Sequence, residues 1–211
     1  MDHVAKFKTT LNNIHQRSKT ANLVVVTKGQ TLDTIKPIIN LGHHHFGENR
    51  VREAILKWET ILKNNSDISL HLIGKLQSNK AKEAIRIFKF IHSLDSLDLA
   101  KKLRTEELRQ NKKLRYFIQI NIGNETQKSG VSIENLDELV NQSLKELNLN
   151  ILGFMCIPPI NSDVRFFFKK MKNLALKYKF NELSMGMSND YIVAIEEGAT
   201  CVRVGSAIFN N

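Results

Sequence analysis

Cysteine is scarce in this chain, with two in 211 residues, Cys156 and Cys201, each inside an apolar run. So few thiols read as small buried side chains of a reducing cytosol, not as a disulfide framework. Long hydrophobic runs are missing as well. No stretch approaches the roughly 20 apolar residues that a membrane span needs. The opening segment, MDHVAKFKTTLNN, has no apolar signal core, so export is not expected and a cytoplasmic place is. No linker, low-complexity stretch or internal repeat interrupts residues 1–211, which are expected to form one domain. Acidic residues are in deficit. There are 21 against 31 basic ones, a net charge of +10. That excess permits contact with phosphates. Its local clusters, Lys101-Lys102 and Lys112-Lys113, are short and lack interleaved aromatics. A solvated basic surface that draws in phosphorylated small molecules is expected, and a dedicated nucleic-acid site is not.

What is present is a rhythm. Short β-like runs alternate with helical patterns from end to end. Strands are expected at 22–27, 44–46, 69–73, 90–92, 116–122, 150–155, 182–185 and 201–204. Helices are expected at 31–41, 48–63, 77–87, 96–109, 133–147, 163–178 and 188–197, after an opening helix at 3–17. Strands separated by helices pair in parallel, and eight such units close most naturally into a (β/α)8 barrel of TIM type. The chain stops too soon after the eighth strand for a full helix, a place the extra N-terminal helix can cover. An open doubly wound sheet is the alternative.

Barrels keep their chemistry at the C-terminal ends of the strands. There this sequence places Lys28, Gly47-Glu48-Asn49, His71, His92, Met155, the segment Ser184-Met185-Gly186-Met187-Ser188, Arg203 and Gly205-Ser206. Lys28 follows the run LVVVT. A lysine on an apolar rim tends to lose its proton and become a nucleophile toward carbonyl compounds. Ser188 at the start of a helix, with Gly205 and Ser206 across from it, reads as a phosphate cup. A reactive lysine facing such a cup suggests pyridoxal 5′-phosphate. Arg203 lies two residues before Gly205 and shares its face of the strand. An arginine can only donate, so at the cofactor's pyridine nitrogen it would leave the ring a weak electron sink. The alternative is an arginine paired with Glu48 or Asp190.

Several motifs, in order, carry a resemblance that covers nearly the whole chain. They are VVVTK at 24–28, FGEN at 46–49, HLIGKLQSNK at 71–80, QKSG at 127–130, LGFMCIP at 152–158, SMGMSND at 184–190 and EGATCVRVGSAIF at 197–209. In these the chain resembles the YggS/PROSC family of pyridoxal-phosphate homeostasis proteins. It departs from the family's usual residues at Gly29-Gln30, Arg50-Val51-Arg52 and Lys75. The resemblance implies an alanine-racemase-like barrel and a Schiff base on Lys28. It implies phosphate contacts from Ser188, Gly205 and Ser206, Arg203 at the pyridine nitrogen, and Asn49, His71 and Met155 around the ring.

A racemase needs an acid–base group on each face of the substrate carbon. The resemblance implies that the second would be a tyrosine of a partner's additional domain, for which the barrel leaves no residues. The tyrosines here are Tyr116, Tyr178 and Tyr191, none at a strand's C-terminal end. The expected function is therefore a monomeric carrier of pyridoxal phosphate that meets apo-enzymes transiently. A weak racemase and a nucleic-acid-binding protein are the alternatives. A metal site at His43-His44-His45 is not expected, since adjacent strand residues face opposite sides.

Overall fold

Apolar β-branched runs such as NLVVV suit strands buried on both faces, as a parallel sheet wrapped in helices requires. In the computed structural model eight such strands form a closed parallel barrel in sequential order. Residues 2–125 and 127–210 are described. The strands are β1 Asn22–Val26, β2 His45–Glu48, β3 Ser69–Leu72, β4 Phe90–Leu94, β5 Arg115–Gln119, β6 Ile151–Met155, β7 Glu182–Ser184 and β8 Cys201–Val204. Closure sets Val24 of β1 opposite Arg203 of β8, and Val25 opposite Val204. That pairing removes the open-sheet alternative.

The helices are α1 His3–Arg17, α2 Leu32–Asn40, α3 Val51–Asn64, α4 Ala81–Ile87, α5 Leu97–Gln110, α6 Leu136–Asn141, α7 Val164–Lys177, α8 Tyr191–Glu196 and α9 Ser206–Phe209. Side-chain caps start several of them. Asp2 accepts from the Val4 N–H, Thr31 from Thr34, Ser96 from Leu99, and Asp163 from Arg165 and Phe166. Among the described residues β8 is followed by the one-turn helix α9, and α1 packs over α8 and α9 in the place expected of it.

Alternate strand residues point outward to the helices. Leu23, Val25, Phe46, Leu70, Ile91 and Val202 join the large apolar layer between barrel and helices. Trp58 of α3 is fully buried there, 4.9 Å from the Phe46 ring. Burying a side chain of this class contributes about 1.5–3 kcal/mol. Phe90, Phe117 and Met155, with Leu152 against them, make a small separate cluster. By the alternation along β4, where Ile91 belongs to the outer layer, this cluster lies inside the barrel.

Four expected helices differ in detail. The one expected from Glu48 starts at Val51, because Glu48 ends β2. The 133–147 pattern is a short α6 followed by a π-helical turn, Gln142–Glu146. The 77–87 pattern opens with a 3-10 turn, Ser78–Lys80. The helix expected from Ser188 starts at Tyr191, and its cap residue is Asp190. Ser188 is drawn away because its hydroxyl serves the end of β8 instead.

Candidate functional site

The β7–α8 loop turns at Gly186, whose φ of +91° suits glycine. There its carbonyl accepts the Arg203 N–H at 3.0 Å. The turn carries Ser188 to the start of α9, where its hydroxyl oxygen accepts the N–H groups of Gly205 at 3.3 Å and Ala207 at 3.1 Å. Ser188, Gly205 and Ser206 are thus brought together as expected. The correction is that Ser188 caps the last helix, not its own.

Lys28 stands just beyond β1, beside the end of β8. A Cβ on Gly205 would lie 3.1 Å from the Val26 carbonyl, two residues before Lys28. Its side chain is exposed. Lys28 therefore lacks the apolar surroundings expected of it. The residue next to it is the buried one. Thr27 donates its hydroxyl to Glu48 Oε1 at 2.7 Å. The same carboxylate oxygen accepts Lys57 Nζ and the Trp58 indole N–H, both at 2.9 Å. Lys57 also donates to the Thr27 carbonyl at 2.6 Å. Glu48 is fully buried, and through Thr27 it fixes the strand end that bears Lys28. Its place in FGEN was legible, but this anchoring role was not.

Arg203 is buried inside the barrel. Nη1 donates to Ser184 Oγ at 2.6 Å and Nη2 to the Cys156 carbonyl at 3.0 Å. Neither expected carboxylate pairs with it. Glu48 is engaged by Lys57, and Asp190 accepts the Met187 N–H at 2.6 Å. Burial pulls the guanidinium below its usual range. His71 and Met155 are also buried in the interior. Met155 adjoins the carbonyl that holds Arg203. His71 joins Arg203 through His92 and Ser184. Burial holds both imidazoles well below their ordinary range, and so neutral. Cys156 and Cys201 are free buried thiols, as expected, and burial raises them to about 12 and about 11.

Asn49 lines a different part of the C-terminal mouth. It borders a cavity of about 330 Å³ with Gly74, Lys75, Gln119, Asn121 and Lys128. A Cβ at Gly74 would collide with the Asn49 carbonyl oxygen, so only glycine lets the β3 loop approach so closely. A larger cavity, about 550 Å³, opens at the opposite end among Arg86, Lys89, Lys112 and Arg115. Its size does not make it the site. Lys89 and Lys112 donate to the Ser66 and Arg86 carbonyls, which end neighbouring segments. Among the described residues no group of three or more His, Cys, Asp or Glu is placed to hold a metal. No described helix is long and apolar enough to cross a membrane.

The chain belongs to the alanine racemase N-terminal domain family, whose pattern matches residues 3–210. The pyridoxal phosphate homeostasis protein of Aquifex aeolicus is 39% identical over 198 residues, covering 90% of this chain and 86% of that protein. The protein of the same name from Escherichia coli K12 is 33% identical over 196 residues, covering 89% and 84%. PipY of Synechococcus elongatus PCC7942, solved with PLP bound, matches with a TM-score of 0.85 at 32% identity, over 93% of this chain and all of that one. Alanine racemase from Bartonella henselae, solved with covalently bound pyridoxal phosphate, shares the fold, with a TM-score of 0.78 at 15% identity. This chain spans 58% of that enzyme's length.

Proposed function

We propose that this protein binds pyridoxal 5′-phosphate at the C-terminal mouth of the barrel, carries it as a Schiff base on Lys28, and maintains its supply to enzymes that need it. The observation that carries the reading is Arg203, a buried guanidinium whose hydrogen bonds, among the described residues, go to neutral acceptors. The chain's relatives by name keep pyridoxal phosphate homeostasis, and PipY was solved with PLP bound. The residues fit that group. Arg203 can only donate, which suits an unprotonated pyridine nitrogen. Ser188 keeps its own O–H for a phosphate beside Gly205 and Ser206, and Lys28 follows the end of the strand next to them. Asn49, His71 and Met155 complete the proposed set. Bound there, the cofactor supplies an electrophilic aldehyde, and an arginine partner leaves its ring a weak electron sink.

Carriage is favoured over turnover by where the tyrosines go. The Tyr116 hydroxyl donates to buried Glu107 at 2.9 Å, Tyr178 donates to Asp137 at 2.5 Å, and Tyr191 accepts from Asn13 at 3.3 Å. None is left as the second acid–base group of a racemase. The test is borohydride reduction of loaded protein followed by peptide mapping. The pyridoxyl group is expected on Lys28, and a label mainly on Lys75, Lys80 or Lys128 overturns the assignment. Loaded protein should also reactivate an apo-enzyme. Racemisation of amino acids at about 1 s⁻¹ or faster, the low end of enzyme rates, would refute carriage.

A further inference from the structure

Beyond Arg203 the barrel interior holds a line of polar groups where layers of branched apolar side chains are usual. Ser184 Oγ lies 2.8 Å from His92 Nδ1, His92 Nε2 lies 2.9 Å from His71 Nδ1, and His71 Nε2 lies 3.0 Å from His45 Nδ1. We propose that His92 and His71 are positioning residues for Arg203, because the line Arg203–Ser184–His92–His71–His45 has one allowed direction and locks the guanidinium and both histidine tautomers in a single arrangement.

The direction follows from the one group whose protons are fixed. A guanidinium cannot accept, so Ser184 Oγ accepts from Arg203. The hydroxyl has one proton to give, and its neighbours are His92 Nδ1 and the Cys201 sulfur. An imidazole nitrogen accepts far better than a thiol, so the proton goes to His92. His92 Nδ1 is then bare, and its proton sits on Nε2. That N–H donates to His71 Nδ1, and the His71 Nε2–H donates to His45 Nδ1. Reversal would require Ser184 to accept twice and leave its proton to sulfur. Ring packing fixes the nitrogen directions. His71 stacks on Phe90 at 4.1 Å and 6°, and His92 lies 4.5 Å from Phe117. Each donor in such a chain polarises the next acceptor. His92 thereby acts on the proposed cofactor only through Ser184 and Arg203, and His71 adds its hold on His92 to its place in the proposed set. That role rests on the proposed function, whereas the proton arrangement does not.

The direct test labels histidine with ¹⁵N in the unmodified protein and reads the rings by long-range ¹H–¹⁵N correlation at neutral pH. His71 and His92 are expected neutral with the proton on Nε2. An Nδ1–H form or an imidazolium at either position overturns the lock. The second arm measures pyridoxal phosphate affinity in His92→Leu and His92→Asn. Leucine removes the acceptor for Ser184 and should weaken binding about tenfold, the effect of one net hydrogen bond. Asparagine offers an oxygen near the Nδ1 position and should restore most of that loss. Equal affinities in wild type and both variants overturn the positioning role. If the wild-type protein binds no pyridoxal phosphate, the functional reading and the positioning role both fail, and the tautomer spectrum alone decides the lock.

Discussion

Acid should unfold this protein earlier than its carboxylates would require, and His43 allows the effect to be sized. Its ring stands edge-on to Phe7 and Phe46, each 5.2 Å away, and its Nε2 meets the His45 carbonyl at 2.9 Å. Burial is the main cause that lowers His43 from 6.5 to about 4. Above 6.5 both folded and unfolded chains hold this ring neutral, and it has no effect. Below 6.5 the unfolded chain takes up a proton that the folded one refuses, so stability is lost as pH falls toward 4. Between pH 7 and pH 5 the linkage amounts to about 2 kcal/mol for this ring alone, at about 1.4 kcal/mol per unit of pKa difference. His45, His71 and His92 are lowered by burial too and push the same way. Urea unfolding at the two pH values should therefore show a drop of at least about 2 kcal/mol, a sizeable share of a typical 5–15 kcal/mol. The variant His43→Gln keeps a donor for the His45 carbonyl and removes the titration. Its drop should be smaller by about 2 kcal/mol. An identical pH 7-to-5 loss in wild type and His43→Gln refutes the reasoning.

Other outcomes are checked more simply. Glu48→Ala strands Lys57 without its buried partner and should cost about 3–5 kcal/mol by chemical denaturation. The emission of Trp58, which loses its indole acceptor, should move with it, and a change under about 1 kcal/mol contradicts the anchor. Ser188→Ala removes the acceptor of two N–H groups and should weaken pyridoxal phosphate about ten- to a hundredfold while leaving pyridoxal little affected. Equal losses for both ligands would count against a phosphate site there. Gly74→Ala drives a methyl into the Asn49 backbone and should destabilise by about 1–3 kcal/mol. An unchanged melting temperature would show that the β3 loop yields freely.

Much of the barrel was legible because strand and helix periods alternate without interruption, and all eight strands fall within the expected segments or a residue or two of them. The helix ends were harder. Ser188 looks like any helix cap until β7 and β8 are side by side, because the N–H groups it serves belong to residues 17 and 19 positions further on. Lys28 is less buried than the apolar run before it implies. The apolar run before it is covered by helices, but the strand ends one residue short of Thr27, and the next side chain leaves into solvent. His71, His92, Ser184 and Arg203 stand out one by one near strand ends, and His45 only as part of a histidine run. Their connection does not, since five strands must close before His45, His71, His92, Ser184 and Arg203 meet. A usable signal was there, in polar residues at alternate positions of strands that are otherwise apolar.

That interior line bears on why the arginine has no carboxylate. A buried charge is costly, and an aspartate beside Arg203 would offset the cost. It would also cancel the positive potential and occupy the guanidinium's donors. Ser184 Oγ and the Cys156 carbonyl do neither, since they orient the fork without a carboxylate in contact, and Asp190 supports the charge only from a distance. Neutral histidines extend that support inward without adding a second charge. On the proposed reading, the charge meets its counterpart when an anionic, electron-rich ligand enters the mouth. Part of the ligand's binding energy then relieves a cost already present in the fold. Loading and folding are thereby coupled, and the stability added by ligand follows its concentration over its dissociation constant. A protein that must hold a reactive cofactor firmly and still release it benefits from this arrangement. On that reading the grip combines the Schiff base on Lys28 with one oriented cation and one phosphate site.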